Sequence, residues 1–359
     1  MKRKNILLLA FFLTLFVFQQ AQAGGTMPSV ANPSINSAPP YAYLDHVWLY
    51  VLKLHPDGTK VSPDTMCLTG DTGPGCAEAG QSFPAAPNPI YIDVESEYLP
   101  NVLPREMDVQ NNDPTLPAAQ AQAVAARTYA TWTARNKPYD DPLGYDYNNQ
   151  INNSTEYQVY YPDSYNHFLN PNDPEGVKQM ISTAISSTLG THITISDGSA
   201  IDAEFGSDIA NQSNDEPSKD YLNIIQDPIS TISTICGAVT NYSGWGMSQK
   251  GALRWSKGNQ CATGGSDNTA WPVTWSDYRQ ILAHYYTGID ILGPNGKVAP
   301  DDRWNLLNYT IPPGGETVNA GGTFNVNVTL QNTSTSNWAT DRFYLSFYAR
   351  RRISPPRAG

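Results

Sequence analysis

The sequence predicts an α+β fold, and three observations carry that expectation. Residues 117–135, PAAQAQAVAARTYATWTAR, are dense in alanine and open on a proline, a composition that favours a long helix. Short apolar or alternating runs such as 47–54 (VWLYVLKL) and 90–94 (IYIDV) have strand length and strand composition. No unit recurs at a fixed period, so a repeat architecture is excluded. The expected result is a mixed-sheet domain built around the Ala-rich helix, followed by a second, strand-rich module.

Taken in order, the chain opens with Lys2, Arg3 and Lys4, an apolar run over 6–18, and Ala21-Gln22-Ala23. This reads as a signal peptide over 1–23. The apolar run is shorter than the roughly 20 residues a bilayer span needs, and no membrane span is expected once it is removed. Residues 24–42, rich in Pro, Ser, Asn and Ala, read as a flexible leader. The main domain is expected over 43–290. Strand 47–54 turns at Pro56-Asp57-Gly58, and the Gly- and Pro-rich stretch 67–89 reads as a disulfide-pinned loop before strand 90–94. After the Ala-rich helix, a second helix is expected over 174–187. A hairpin of 189–195 with 200–205 is expected around Asp197-Gly198, and a last helix over 275–286. The small side chains of 117–135 allow close approach to neighbours, so that helix is expected to be central. A Pro/Gly/Asp linker is expected over 291–305. Beyond it, 323–330 (TFNVNVTL) and 343–348 (FYLSFY) alternate with period two, like the opening of a partial Ig-like β-sandwich over 306–359.

Composition limits the partners. Hydrophobic residues make up 40% and aromatics 11%, enough for a sizeable core, while the formal net charge is -11. Removing Lys2, Arg3 and Lys4 with the leader brings this to ~-14. Nucleic-acid binding relies on clustered cations, so it is excluded as an expectation, and a neutral or sugar-like partner fits better. The four cysteines, Cys67, Cys76, Cys236 and Cys261, are even in number and lie in an exported chain. Disulfides are therefore expected, and loop economy favours Cys67–Cys76 and Cys236–Cys261. Neither pair has the spacing of a zinc site.

Three segments carry chemistry. Tyr98-Leu-Pro-Asn-Val-Leu-Pro-Arg-Glu-Met107 is followed by Gln120-Ala-Gln-Ala-Val-Ala-Ala-Arg-Thr-Tyr-Ala130. Asp220-Tyr221-Leu222 precedes Gln226-Asp227-Pro228. Gly244-Trp-Gly-Met-Ser-Gln-Lys-Gly-Ala252 precedes Ile281-Leu-Ala-His-Tyr-Tyr-Thr-Gly288. In order and spacing, over roughly 90–290, these resemble the SpoIID/LytB family. The resemblance implies a lytic transglycosylase acting on peptidoglycan glycan strands, with Glu106 as its single acid and base. Glu106 would protonate the glycosidic oxygen after N-acetylmuramic acid, then take the C6 hydroxyl proton as a 1,6-anhydro ring closes. An ordinary glycosidase needs two carboxyls instead. Such an acid must stay protonated near neutral pH, which calls for desolvation. Val102, Leu103, Pro104 and Met107 supply an apolar setting in sequence, whereas an inward-pointing Arg105 would favour the charged form.

By the same resemblance Arg127, Tyr221, Trp245, Ser248 and Gln249 are expected to bind substrate. Read from the residues alone, Arg127 is equally an ion-pair partner of Glu106 or Asp108, because an unpaired cation inside such a helix is costly. Gln120, Val124 and Arg127 share one helical face. Tyr221 and Trp245 are equally core anchors, Ser248 and Gln249 equally loop fasteners, and His284 a structural histidine. Glu95 and Glu97 fall at exposed, variable family positions. The family's zinc-binding Cys/His cluster is replaced by Asn153-Ser-Thr-Glu-Tyr-Gln-Val-Tyr160, so no metal and no cofactor are expected. Ser243 stands for a family His and Asn223 for a family Lys. These departures keep a second reading open: a peptidoglycan-binding modifier that stimulates a separate cell-wall amidase. Either reading places the protein outside the cell or on its envelope.

Overall fold

A computed structural model describes residues 43–62, 64–84, 88–136, 150–209, 213, 216–225, 227–230, 244–261, 271 and 274–298, with backbone at 304–310 and 327–332. The expected signal peptide and leader, Cys236 and strand 343–348 lie outside the described residues, so the Cys236–Cys261 pairing does too.

The architecture is α+β. Strand β1 (His46–Tyr50) pairs antiparallel with β2 (Ile90–Asp93) and parallel with β3 (Gln150–Asn152). Beyond β1, Leu52 and Leu54 make isolated bridges to Met66 and Lys60, so the expected strand 47–54 continues as a ragged edge. The loop between β1 and β2 is fastened by the Cys67–Cys76 disulfide, whose cysteines are buried in the core. After β2, a single wide turn at Val94–Tyr98 leads into helix α1 (Leu99–Glu106). Asp93 caps that turn, accepting the Ser96 N–H at 2.7 Å.

Helix α2 (Leu116–Asn136) is the Ala-rich segment, and it is central as expected. Ala123, Ala126, Ala130 and Ala134 face one core, shared with β1, β2, β3, α1 and helix α4 (Pro174–Ser187). Ala118, Ala121, Val124, Ala125 and Tyr129 face a second core. A helix buried on both sides has no wide polar stripe, and its small side chains let two layers approach closely. The second core is closed by β4 (His192–Thr194), β6 (Met247–Ser248), α5 (Gln249–Lys257) and α6 (Tyr278–Tyr285).

Three elements differ from expectation. The hairpin 189–195/200–205 shrinks to β4 and one bridge, Thr194–Ala200. Its second half diverges because β5 (Phe205–Gly206) pairs parallel with β6 instead. The last helix starts at Tyr278 and not at 275, because Asp277 caps it by accepting the Arg279 N–H at 2.9 Å. Finally, residues at the start of the expected linker form β7 (Asp290–Gly293) and β8 (Gly296–Lys297), and β7 pairs with β4. Further on, β9 (Trp304–Thr310) and β10 (Asn327–Asn332) form an antiparallel pair with a bulge at Thr329/Leu330. A short helix, α3 (Ser164–His167), completes the set. Among the described residues, no helix is long and apolar enough to cross a membrane.

Candidate active site

Glu106 is the last residue of α1. The helix stops there because Met107 caps it and Asp108 takes a left-handed backbone, φ 47°. Glu106 lines a cavity of about 100 Å³ together with Met107, Asn112, Gln122, Gln249 and Leu253. Its Oε1 accepts the backbone N–H of Val159 at 2.6 Å, and its Oε2 accepts the Gln249 amide at 3.0 Å. Burial pushes the carboxyl from 4.5 up to about 7, against those two hydrogen bonds, which favour the charged form. Its place at a helix C-terminus, where the dipole is negative, acts in the same direction as burial.

Arg105, the cation next in sequence, does not offset this. It turns away from the cavity, and its guanidinium is forked on Glu78 and reaches Ser164 at 3.2 Å. It lies over the Tyr161 and Phe168 rings at 4.1 and 3.8 Å. The neighbouring charge that would hold Glu106 ionised is thus committed elsewhere. Asp108 also lines the cavity, but both of its carboxylate oxygens accept from Asn111 Nδ2, at 2.9 and 3.2 Å.

The segment that delivers the Val159 N–H is positioned from below. Buried Gln158 accepts from the Tyr98 hydroxyl and donates to the Ala126 carbonyl at 3.2 Å, bracing the segment against α2. Asn153, in the stretch that replaces the family's Cys/His cluster, accepts the Leu52 N–H at 2.7 Å and donates to the Gly75 carbonyl at 2.9 Å. Its role here is to staple the disulfide loop to β1.

The remaining expected site residues divide. Gln249 joins Glu106. Arg127 does not: it is 0% exposed and forked on Glu95, with both contacts at 2.6 Å and a third bond to the Thr191 carbonyl at 2.8 Å. An extended guanidinium buried this deeply cannot touch a polymer, and its partner is Glu95, not Glu106 or Asp108. Glu95 is correspondingly withdrawn from solvent, its side chain 15% exposed. Gln120, on the same face, donates to Ser187 on α4. Ser248 is the N-cap of α5; its hydroxyl accepts the N–H groups of Gly251 and Ile209, at 2.9 and 3.1 Å. Tyr221 is half-buried, with its hydroxyl accepting the Asp202 N–H at 3.2 Å, beside the Lys219 pairs with Asp202 and Glu204. Trp245 is 40% exposed. Neither Tyr221 nor Trp245 lines the Glu106 cavity. His284 is structural: it sits edge-on to Trp255 and Trp275, 3.6 Å from the buried Asp227.

Sequence reasoning missed the Val159 N–H as a donor to Glu106, and Asn112, Gln122 and Lys250 as cavity groups. Only Gln122 left a signal, as a polar residue midway along an alanine run. A backbone donor leaves none.

The family model of SpoIID, "Stage II sporulation protein", matches residues 91–195. That span runs from β2 to β4 and includes Glu106, α2 and Val159. Over that span the chain is similar to the SpoIID family. No curated protein matches the chain.

Proposed function

We propose that this domain cleaves peptidoglycan glycan strands by a lytic transglycosylase reaction, with Glu106 as both acid and base. A SpoIID domain suggests a sporulation-related, cell-wall role. The observation that supports the finer reading is a buried carboxyl at a cavity whose pKa is raised to about 7. Such a group holds a proton at neutral pH and still gives it up without a large cost, as general acid–base catalysis requires. Glu106 protonates the glycosidic oxygen, and the bond to the N-acetylmuramic C1 breaks. The resulting carboxylate takes the proton from the C6 hydroxyl, whose oxygen bonds to C1. No water enters, so no second carboxylate is needed to activate one.

Export by the 1–23 leader, residence outside the cell or at its envelope, and a β9–β10 module extending into an Ig-like sandwich belong to the same proposal. The test is digestion of purified, peptide-free glycan strands. Products ending in the 1,6-anhydro ring, absent with Glu106→Gln, are expected. Intact strands with wild-type protein would refute cleavage.

The structural placement of Arg127, Ser248 and Tyr221, all engaged away from the cavity, favours a second reading. In it the domain binds strands without cutting them and stimulates a separate amidase. Strand retention without anhydro products, together with faster amidase turnover, would establish that reading.

A further inference from the structure

Glu78 lies just past Cys76, in the loop fastened by the Cys67–Cys76 disulfide and outside the 91–195 span that is similar to the SpoIID family. It is 7% exposed, and its carboxylate is forked by Arg105, which donates from Nε at 3.2 Å and also from Nη2. The Ser164 hydroxyl accepts from Arg105 Nε, also at 3.2 Å, and donates to the same carboxylate. Tyr161 and Phe168 lay their rings against the guanidinium. The loop keeps Glu78 in place: the disulfide closes it, and Asn153 Nδ2 donates to the Gly75 carbonyl at 2.9 Å. Charged groups on the helices around α1 are paired with one another, Asp163 with His167 at α3 and Glu175 with Lys178 on α4, while Arg127 on α2 is held by Glu95. Glu78 is thus the counter-charge of Arg105.

We propose that Glu78 is a positioning residue for the Glu106 acid: by holding the Arg105 guanidinium in this cage, it keeps that cation off the cavity. The proposal rests on the reading of Glu106 as the acid and adds a residue that controls it through Arg105. Arg105 and Glu106 are adjacent at the end of α1, and an arginine stem is long enough to bring its charge to a neighbouring carboxyl. A cation within about 4–6 Å lowers a carboxyl pKa by about 1–3. Burial raises the Glu106 carboxyl to about 7, and what opposes it are hydrogen bonds from Val159 and Gln249, both neutral donors. A released Arg105 would oppose it with a full charge. Asp108 and Lys250 line the cavity with Glu106, and Tyr98 is close enough to feel its charge. The substitutions below leave all three in place.

The test follows the Glu106 carboxyl directly, by carbon-13 NMR of full-length protein labelled at the glutamate carboxyls. The Glu106 resonance is identified by its loss in Glu106→Gln. Glu78→Gln keeps the shape of the side chain and removes its charge. In that variant the Glu106 midpoint is expected to fall from about 7 by at least about one pH unit. Adding Arg105→Met is expected to bring the midpoint back to about 7, because the cation is then gone; replacing both members of a buried ion pair is well tolerated. If Glu78→Gln does not fold, Glu78→Ser is read in the same way, since its smaller side chain lets water reach the guanidinium. A folded single variant whose midpoint stays at about 7 overturns the proposal, leaving Glu78 a structural partner. A fall that Arg105→Met does not reverse also overturns it, because the effect would not run through Arg105. The titration needs no cleavage. Glycan strands left intact by the wild-type protein would refute the reaction and leave the role of Glu78 standing, whereas an unmoved midpoint alongside cleavage would do the reverse.

Discussion

Replacing Glu106 with Gln should change how stability depends on pH, and the size of the effect follows from its burial. The folded carboxyl titrates at about 7 against 4.5 for an exposed one. At about 1.4 kcal/mol per pH unit, that gap corresponds to about 3 kcal/mol. The sign follows from which state holds the proton more tightly. Below about pH 4.5 the carboxyl is protonated in both states, and the fold carries no penalty from it. Between about 4.5 and 7 the unfolded chain sheds the proton first, so stability falls as pH rises. Above about 7 the loss is complete, because the fold must then bury a charge. A glutamine side chain at this position cannot ionise, yet its amide oxygen can still accept the Val159 N–H. Urea unfolding of both proteins across about pH 4 to 8.5 would isolate this contribution, since all other titrating groups cancel in the difference. The variant should gain about 3 kcal/mol relative to wild type between the two ends of the range. A difference that stays flat would show that Glu106 is not held neutral, and would remove the physical basis for its role as an acid.

Gln249→Leu removes a hydrogen bond that favours the Glu106 carboxylate, so the Glu106 midpoint should move above about 7. The alkaline limb of strand cleavage should move with it, and a midpoint that falls would refute the assignment. Arg127→Met leaves Glu95 withdrawn from solvent without its partner and should cost about 3–5 kcal/mol in urea unfolding. Adding Glu95→Leu should restore part of that loss, and strictly additive costs would argue against a coupled pair. Gly251→Ala places a Cβ 2.1 Å from the Tyr285 hydroxyl and 2.6 Å from Asp227 Oδ2. It must displace the 2.8 Å Tyr285–Asp227 bond and should cost at least about 1–3 kcal/mol. A thermal midpoint equal to wild type would contradict that packing.

Much of the fold is legible in the sequence because it is local. Helix α4 starts at Pro174 after the capping Asp173 and ends at Ser187, where the sequence places it. Alanine density alone marks α2 as central, without knowledge of its two cores. The elements that moved are those whose limits are set by distant partners. β5 (Phe205–Gly206) leaves its hairpin for β6 (Met247–Ser248) downstream in sequence, and β7 is claimed by β4 across a far longer stretch of chain, with His192 opposite Leu292. The site divides in the same way. Glu106 and Gln249 can be found because the family resemblance names their positions. The same resemblance assigns Arg127 to substrate because it gives a position and not a depth. Burial at 0% exposure and a fork on Glu95 are tertiary facts. The turning of Arg105 onto two aromatic rings, which takes its charge away from Glu106, is equally invisible in the order of residues.

The donor to Glu106 Oε1 is a main-chain amide, and that has a consequence for how the site can change over time. Substitution at position 159 alters the side chain but leaves the N–H in place, with proline the exception. Residue identity there is free to drift with local packing while the contact to the carboxyl persists. What must be inherited is a chain path, fixed by Tyr98 and Ala126 acting through Gln158. Losing the site therefore requires no change in any residue that touches Glu106. Gln158, one position away and bonded to α2 instead, is one of the residues that hold that path.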